Sequence, residues 1–217
     1  MLTELSILEF ADRLSSEQPA PGGGSAAALN GLTGVCLLEM VINLSLGRDE
    51  LAQHSELLTA KQRELARLHH ELQILIDRDA QAFSGVMTAY KLPKATEDEK
   101  QQRKDAVQKA FKQAAEIPLE VARACLEALE IAKALCGKVN PHAVSDLAVG
   151  SLSAHAAAIG ALLNTAINLP FITDKDLANA LDGQVYLLRS SADEQLEAIR
   201  TNIYANPIFA ALRPTCC

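Results

Sequence analysis

The 217-residue sequence predicts an all-α fold, a single-domain bundle of about six to seven long helices, two of them largely buried. Three observations carry this expectation. Hydrophobic residues make up 49% of the chain but aromatics only 4%, with no Trp, which suits helices packed through Ala and Leu side chains. Every segment with a hydrophobic period repeats at helical spacing. No stretch alternates like a half-buried strand, and neither an internal repeat nor a low-complexity linker interrupts the chain.

The elements follow in order. Thr3 can cap a first amphipathic helix through Leu5, Leu8, Ala11 and Leu14, ending near Ser16 ahead of Pro19. The glycine-rich turn Pro19-Ala20-Pro21-Gly22-Gly23-Gly24 then leads to Ser25, a good N-cap for a second helix that runs to about Leu46, with Gly47 as its stop. A third helix begins near Glu50 and reaches Tyr90. Its stripe is Leu51, Leu58, Leu65 and Leu72, joined by Leu68 and Leu75. Thr96 to Leu135 is again helical, and Pro118 inside it should kink or split the helix. Asn140-Pro141 supplies a cap and a first-turn proline for the next helix, which extends to about Leu169. Thr173 caps a last helix to about Tyr204, and residues 205–217 read as an irregular tail. The second helix and the one after Asn140 are apolar nearly all round, so they belong in the interior or at a subunit interface.

Bulk properties narrow the function. A net charge of −7 without a dense Lys/Arg run argues against nucleic acid as a partner. Glu4, Glu9 and Asp12 interrupt the first segment, so no signal peptide is expected. The five cysteines have no zinc-ligand spacing and read as reduced thiols of a cytoplasmic protein. The histidines, among them His69, show no ligand-like spacing with carboxylates, and no metal is expected. Ala26 to Leu46 is apolar enough to raise a membrane question. Asn30, Glu39 and Asn43 within it favour a buried helix of a soluble bundle, with no membrane partner.

Polar residues on apolar stripes are the remaining signal. The heptad of the third helix continues from Leu72 to Asp79 and Val86, placing Asp79 on the packed seam and Asp77 off it, in solvent. A carboxylate there is paired structurally or holds a raised pKa at a site. Asp146, Gly150, Ser153, Ala157, Gly160, Asn164 and Asn168 share one small, polar face of the later helix, open either to a ligand or to close helix packing. Asn140, Ser145 and Asp146 cluster at its start, and each is also a possible cap. Glu39 and Asn43 form an i, i+4 pair, and Lys94 reads as a surface lysine. Gly22, Gly23 and Gly24 read either as a tight turn or as an anion cradle at a helix N-terminus.

Several of these segments, in order, resemble one family. Pro19 to Ala28 and Met40 to Gly47 are similar to the opening of the formiminotetrahydrofolate cyclodeaminase / methenyltetrahydrofolate cyclohydrolase family. Asp79-Ala80-Gln81-Ala82-Phe83, Tyr90-Lys91-Leu92-Pro93-Lys94, Asn140 to Asp146, Asn164 and Ile167-Asn168-Leu169 continue the likeness. It implies an all-helical homodimer acting on a tetrahydrofolate derivative as substrate, without a metal. The first activity implied is cyclodeamination of 5-formiminotetrahydrofolate to 5,10-methenyltetrahydrofolate with release of ammonia. The second is cyclohydrolase interconversion of the methenyl and 10-formyl compounds. It also implies Asp79 and Asp146 as proton-transfer carboxylates and Lys94 as a partner of the folate glutamate or an aid to proton transfer. Gly22, Gly23, Gly24 and Ser25 would bind a polar part of the folate, and Asn43, Asn140, Ser145, Asn164 and Asn168 would contact or support the pterin. Glu39 departs from the family pattern, which is small and apolar there. A non-catalytic dimeric ligand-binding bundle is the competing reading from another class.

Overall fold

The computed structural model describes residues 1–212. Among them it has six α-helices and no strand: α1 (Ile7–Leu14), α2 (Gly23–Asn43), α3 (Ser55–Tyr90), α4 (Glu97–Leu135), α5 (Val144–Ala166) and α6 (Lys175–Tyr204). Helices α2, α3, α4 and α5 pack in a ring around one continuous core, and α6 lies against α4 and α5. The leucine stripe of α3 points inward: Leu58, Leu65, Leu68, Leu72 and Leu75 are fully buried.

Local chemistry explains the boundaries and corrects several of those expected. Ser6, not Thr3, caps α1 through a reciprocal box with Glu9. Thr3 is instead drawn to α3, where its hydroxyl donates to Asp77 at 3.0 Å and the Leu2 N–H donates to the same carboxylate at 2.6 Å. Asp77 is therefore buried, contrary to its expected place in solvent. Asp174 rather than Thr173 caps α6, because the N–H and hydroxyl of Thr173 both donate to Gln108. Helix α2 stops at Asn43, four residues short of Gly47, whose positive φ of 78° forms the turn beyond it. Pro207–Leu212 forms a short 3-10 turn within the expected irregular tail. Cys216 and Cys217 lie outside the described residues.

Pro118 does not split α4, which remains one 39-residue helix. A proline lacks the N–H that would bond the carbonyl four residues back. Here the Ala114 carbonyl accepts from Asn168 Nδ2 at 3.1 Å, and the neighbouring Ala115 carbonyl accepts from the Thr165 hydroxyl at 3.1 Å. The vacancy left by Pro118 thus becomes a tether between α4 and the C-terminal end of α5.

Helices α2 and α5 approach closely at Gly34 and Gly150. A Cβ at Gly34 would lie 2.8 Å from the Gly150 carbonyl oxygen, and one at Gly150 would lie 3.0 Å from that of Gly34. The small face of α5 is thereby assigned mainly to packing. Gly150, Ala157 and Gly160 face α2, and the Ser153 carbonyl accepts from Asn30. Both α2 and the Pro141–Phe171 span are long and apolar enough to cross a bilayer, yet half of the most apolar window of α2 is buried in the bundle. The outer face of α5 stays open. Val149, Leu152, Ala156, Leu163 and Ile167 form an exposed apolar stripe, with Leu163 66% and Ile167 69% accessible.

Candidate active site

Four helices contribute to one cleft of about 170 Å³. Its walls are Pro19, Ala20 and the three glycines before and within α2, Asp79, Ala80 and Phe83 of α3, Ala114 and Pro118 of α4, and Asn164 and Asn168 at the end of α5. The structure therefore brings together Gly22, Gly23, Gly24, Asp79, Asn164 and Asn168 from the sequence-derived set.

Each glycine has a different reason to be there. Gly22 is the N-cap of α2 and has no side chain to cap it. The cap comes instead from Asp79 on α3, which accepts the Ser25 hydroxyl at 2.9 Å and also the Ser25 backbone N–H. Ser25 is thus inside the first turn rather than at the expected N-cap, and it is fully buried. Gly24 makes room for this arrangement, because a Cβ there would stand 2.0 Å from Asp79 Oδ1. A Cβ at Gly23 would press on the Asn164 amide at 3.0 Å.

The electrostatics have two opposing parts. Burial raises the pKa of Asp79 above the ordinary carboxylate range, and the two Ser25 donors pull only part of that back. The positive end of α2 adds a field that favours the anion. Asp79 is consequently a half-buried carboxyl group that holds its proton to higher pH than an ordinary carboxylate. Among the described residues the N–H groups of Gly23 and Gly24 have no hydrogen-bond partner, so they remain donors. Asn164 and Asn168 use their Nδ2 groups on the carbonyls of Gly160, Asn164 and Ala114. Their Oδ1 atoms are left as acceptors. The lining therefore offers backbone donors, amide acceptors, the Phe83 ring and one titratable acid.

The other sequence-derived residues lie elsewhere in the chain. Asn43 is exposed at the far end of α2, roughly 30 Å along the axis from Gly23, and accepts from Gln62 at 2.7 Å. Asn140 is buried at that same end. Its N–H donates to the Ser45 hydroxyl at 2.8 Å, its Nδ2 donates to the Leu44 carbonyl, and its Oδ1 accepts from the His142 N–H. Those bonds give it a capping and tethering role. Ser145 and Asp146 occupy the first turn of α5, about 27 Å along the helix from Asn164. Lys94 is exposed in the loop after α3, whose last residue, Tyr90, lies about 16 Å along the helix from Asp79. Ala114 and Pro118 were not foreseen in the cleft. The signal was available in Pro118, since a buried proline inside a helix obliges some other element to satisfy a carbonyl.

A helical bundle with a half-buried carboxyl group at a glycine-opened helix N-terminus defines a class, which comparison with known proteins makes specific. Residues 6–186 match the formiminotransferase-cyclodeaminase family. The chain is 37% identical to a methenyltetrahydrofolate cyclohydrolase of Methylorubrum extorquens, over 80% of this chain and 83% of that protein. It is 34% identical to the formimidoyltransferase-cyclodeaminase of Gallus gallus over 85% of this chain, but spans only 34% of that longer protein. The fold matches that of a formiminotetrahydrofolate cyclodeaminase from Thermotoga maritima with a TM-score of 0.85 at 23% identity, covering 94% of this chain and 98% of that one. The chain belongs to the formiminotransferase-cyclodeaminase family.

Proposed function

We propose that the cleft binds the pterin end of a tetrahydrofolate carrying a one-carbon unit, and that the protein is a cyclodeaminase forming the 5,10-methenyl compound from 5-formiminotetrahydrofolate. The observation that carries this reading is Asp79, a half-buried carboxyl group held by Ser25 beside unpartnered backbone donors, its pKa raised by burial. The Asn164 and Asn168 oxygens suit the N–H donors of a pterin, and the Gly23 and Gly24 N–H groups suit its carbonyl oxygen. In the reaction N10 attacks the formimino carbon and its proton passes to the imino nitrogen, forming a tetrahedral carbon that bridges N5 and N10 and carries an amino group. Protonated Asp79 donates to the departing amine, ammonia leaves, and the resulting carboxylate faces the methenyl cation.

A second reading has its own support. The near-full-length match to a cyclohydrolase favours water addition to the methenyl carbon, with ionised Asp79 accepting the proton of the attacking water. Supplying formimino- and methenyltetrahydrofolate separately, while following the methenyl chromophore and free ammonia, decides between them. Chromophore growth with equimolar ammonia is the result expected of the cyclodeaminase. Accelerated chromophore loss alone assigns the cyclohydrolase, and no catalysis of either reaction overturns both.

A homodimer completes the reading. A cleft of about 170 Å³ is below the usual range of roughly 300–1,000 Å³ for small-molecule sites, so a second copy has room to supply a wall. The exposed stripe of α5 is centred on Ala156, with Val149 and Leu163 seven residues to either side. Antiparallel pairing of α5 about that centre carries the Ser145–Asp146 end of one copy to the Asn164–Asn168 end of the other. Leu163→Glu is expected to give a folded monomer by light scattering, with turnover reduced at least tenfold. Mixing Asp79→Asn with Asp146→Asn subunits is expected to restore part of the wild-type rate through hybrid dimers. A dimeric, fully active Leu163→Glu protein would exclude this arrangement.

A further inference from the structure

A second cluster of reactive side chains lies on the outer side of α2 and α3, away from the residues that line the cleft. Cys36 and Glu39 are three residues apart on α2 and share one face. His69 reaches them from α3. Its Nδ1 is 2.9 Å from Glu39 Oε2 and 3.7 Å from Cys36 Sγ, and the three ligand atoms all lie within 4.8 Å of one another. Sequence spacing did not reveal this grouping, because 30 residues separate His69 from Glu39. It also gives a use to Glu39, a residue that departs from the family resemblance.

We propose that Cys36, Glu39 and His69 form a binding site for a divalent transition metal, with Zn²⁺ the best-matched ion. Tetrahedral Zn²⁺ with sulfur at about 2.3 Å and nitrogen or oxygen at about 2.0–2.2 Å needs ligand atoms roughly 3.3–3.6 Å apart. The 2.9 Å and 3.7 Å separations bracket that edge length, so small side-chain rotations make a three-ligand face. Geometry alone does not choose the ion; the donor set does. A thiolate, an imidazole and one carboxylate suit Zn²⁺ or Co²⁺, whereas Mg²⁺ and Ca²⁺ take oxygen ligands. Binding releases the Cys36 thiol proton to solvent and leaves Nδ1 of His69 unprotonated, with its hydrogen on Nε2. The fourth position faces water, since Cys36 is exposed and His69 and Glu39 are only partly covered. The ion would tie α2 to α3, the two helices that carry Ser25 and Asp79.

The test uses the full chain with Cys216→Ser and Cys217→Ser, which removes the two C-terminal thiols as competing ligands. Titration with Co²⁺ is expected to give, at one equivalent, a thiolate-to-cobalt charge-transfer band and tetrahedral d–d bands, both erased by added Zn²⁺. Cys36→Ser abolishes the charge-transfer band, and His69→Gln or Glu39→Gln weakens Co²⁺ binding at least tenfold. Zn²⁺ at a hundredfold excess over its dissociation constant raises Tm by about 5–10 °C, and Cys36→Ser abolishes that rise. No charge-transfer band in the starting protein, a band that survives Cys36→Ser, or a Tm unmoved by Zn²⁺ each overturns the site. These readouts do not depend on folate turnover.

Discussion

Asp79→Asn is expected to lower kcat by about 10²–10⁴-fold, the usual contribution of a positioned acid or base, while leaving a folded protein. The amide keeps the shape of the carboxyl group, and its oxygen can still accept from Ser25, so substrate binding should change far less than turnover. Stability provides an independent check. Because burial raises the folded-state pKa of Asp79 above its unfolded value, the stability linked to its proton is fully present below the unfolded pKa. It is lost as pH rises through the folded pKa. The Asn variant lacks that loss, so it should be at least as resistant to urea as the wild type at pH 7. The difference should vanish at lower pH, where Asp79 is protonated. The rate profile carries a related signature. If Asp79 acts as the acid of the cyclodeaminase, the wild-type rate falls as pH rises through its raised pKa; if it acts as the base of the cyclohydrolase, the rate rises there. Loss of that limb in Asp79→Asn links it to the carboxyl group, and turnover within a few-fold of wild type would remove Asp79 from the chemistry.

Gly24→Ala should produce a comparable loss of turnover by a different route. The new methyl group would stand 2.0 Å from Asp79 Oδ1, so the short Asp79 side chain or the first turn of α2 must move. Overpacking of this kind costs about 1–3 kcal/mol, measurable as a lower urea midpoint. Combining Gly24→Ala with Asp79→Ala should recover part of that stability, because the second change removes the atoms struck by the first. Additive losses would show that the two residues do not share this contact in solution. The same replacement at Gly22 should be mild, since a Cβ there meets nothing closer than the Pro19 carbonyl at 3.9 Å. Of three consecutive glycines, the middle and last answer to specific neighbours.

Much of the fold was legible because helical periodicity is local. The seven-residue spacing from Leu51 through Leu72 placed Asp79 on the packed seam, and the structure brings that residue to the wall of the cleft. What escaped depended on partners distant in the chain. Asp77 was read as solvated because nothing near it announced that Leu2 and Thr3 would donate to its carboxylate. Ser25 looked like an N-cap by residue type, but Gly22 takes that position and Asp79 supplies the missing acceptor from another helix. The small face of α5 admitted two readings, and only the crossing with α2 separates Gly150 and Ala157, which pack, from Asn164 and Asn168, which reach the cleft. The Asn140–Asp146 cluster was correctly placed at a helix start. Its distance from Asp79 followed from the lengths of α2 and α5, which sequence boundaries supplied but one-dimensional motif order concealed.

The contact between Gly34 and Gly150 has a mechanical consequence. With no side chains between them, the two backbones leave little space to slide or bend independently, and α2 and α5 act as one stiff beam. The beam holds Asn164 near one end and Asp146 near the other. Thermal motion within the chain can rotate or shift it as a body but does not bring its ends together. If those ends cooperate in turnover, bending of α5 is not the route; pairing of two copies would be, and the rate per chain would then fall on dilution.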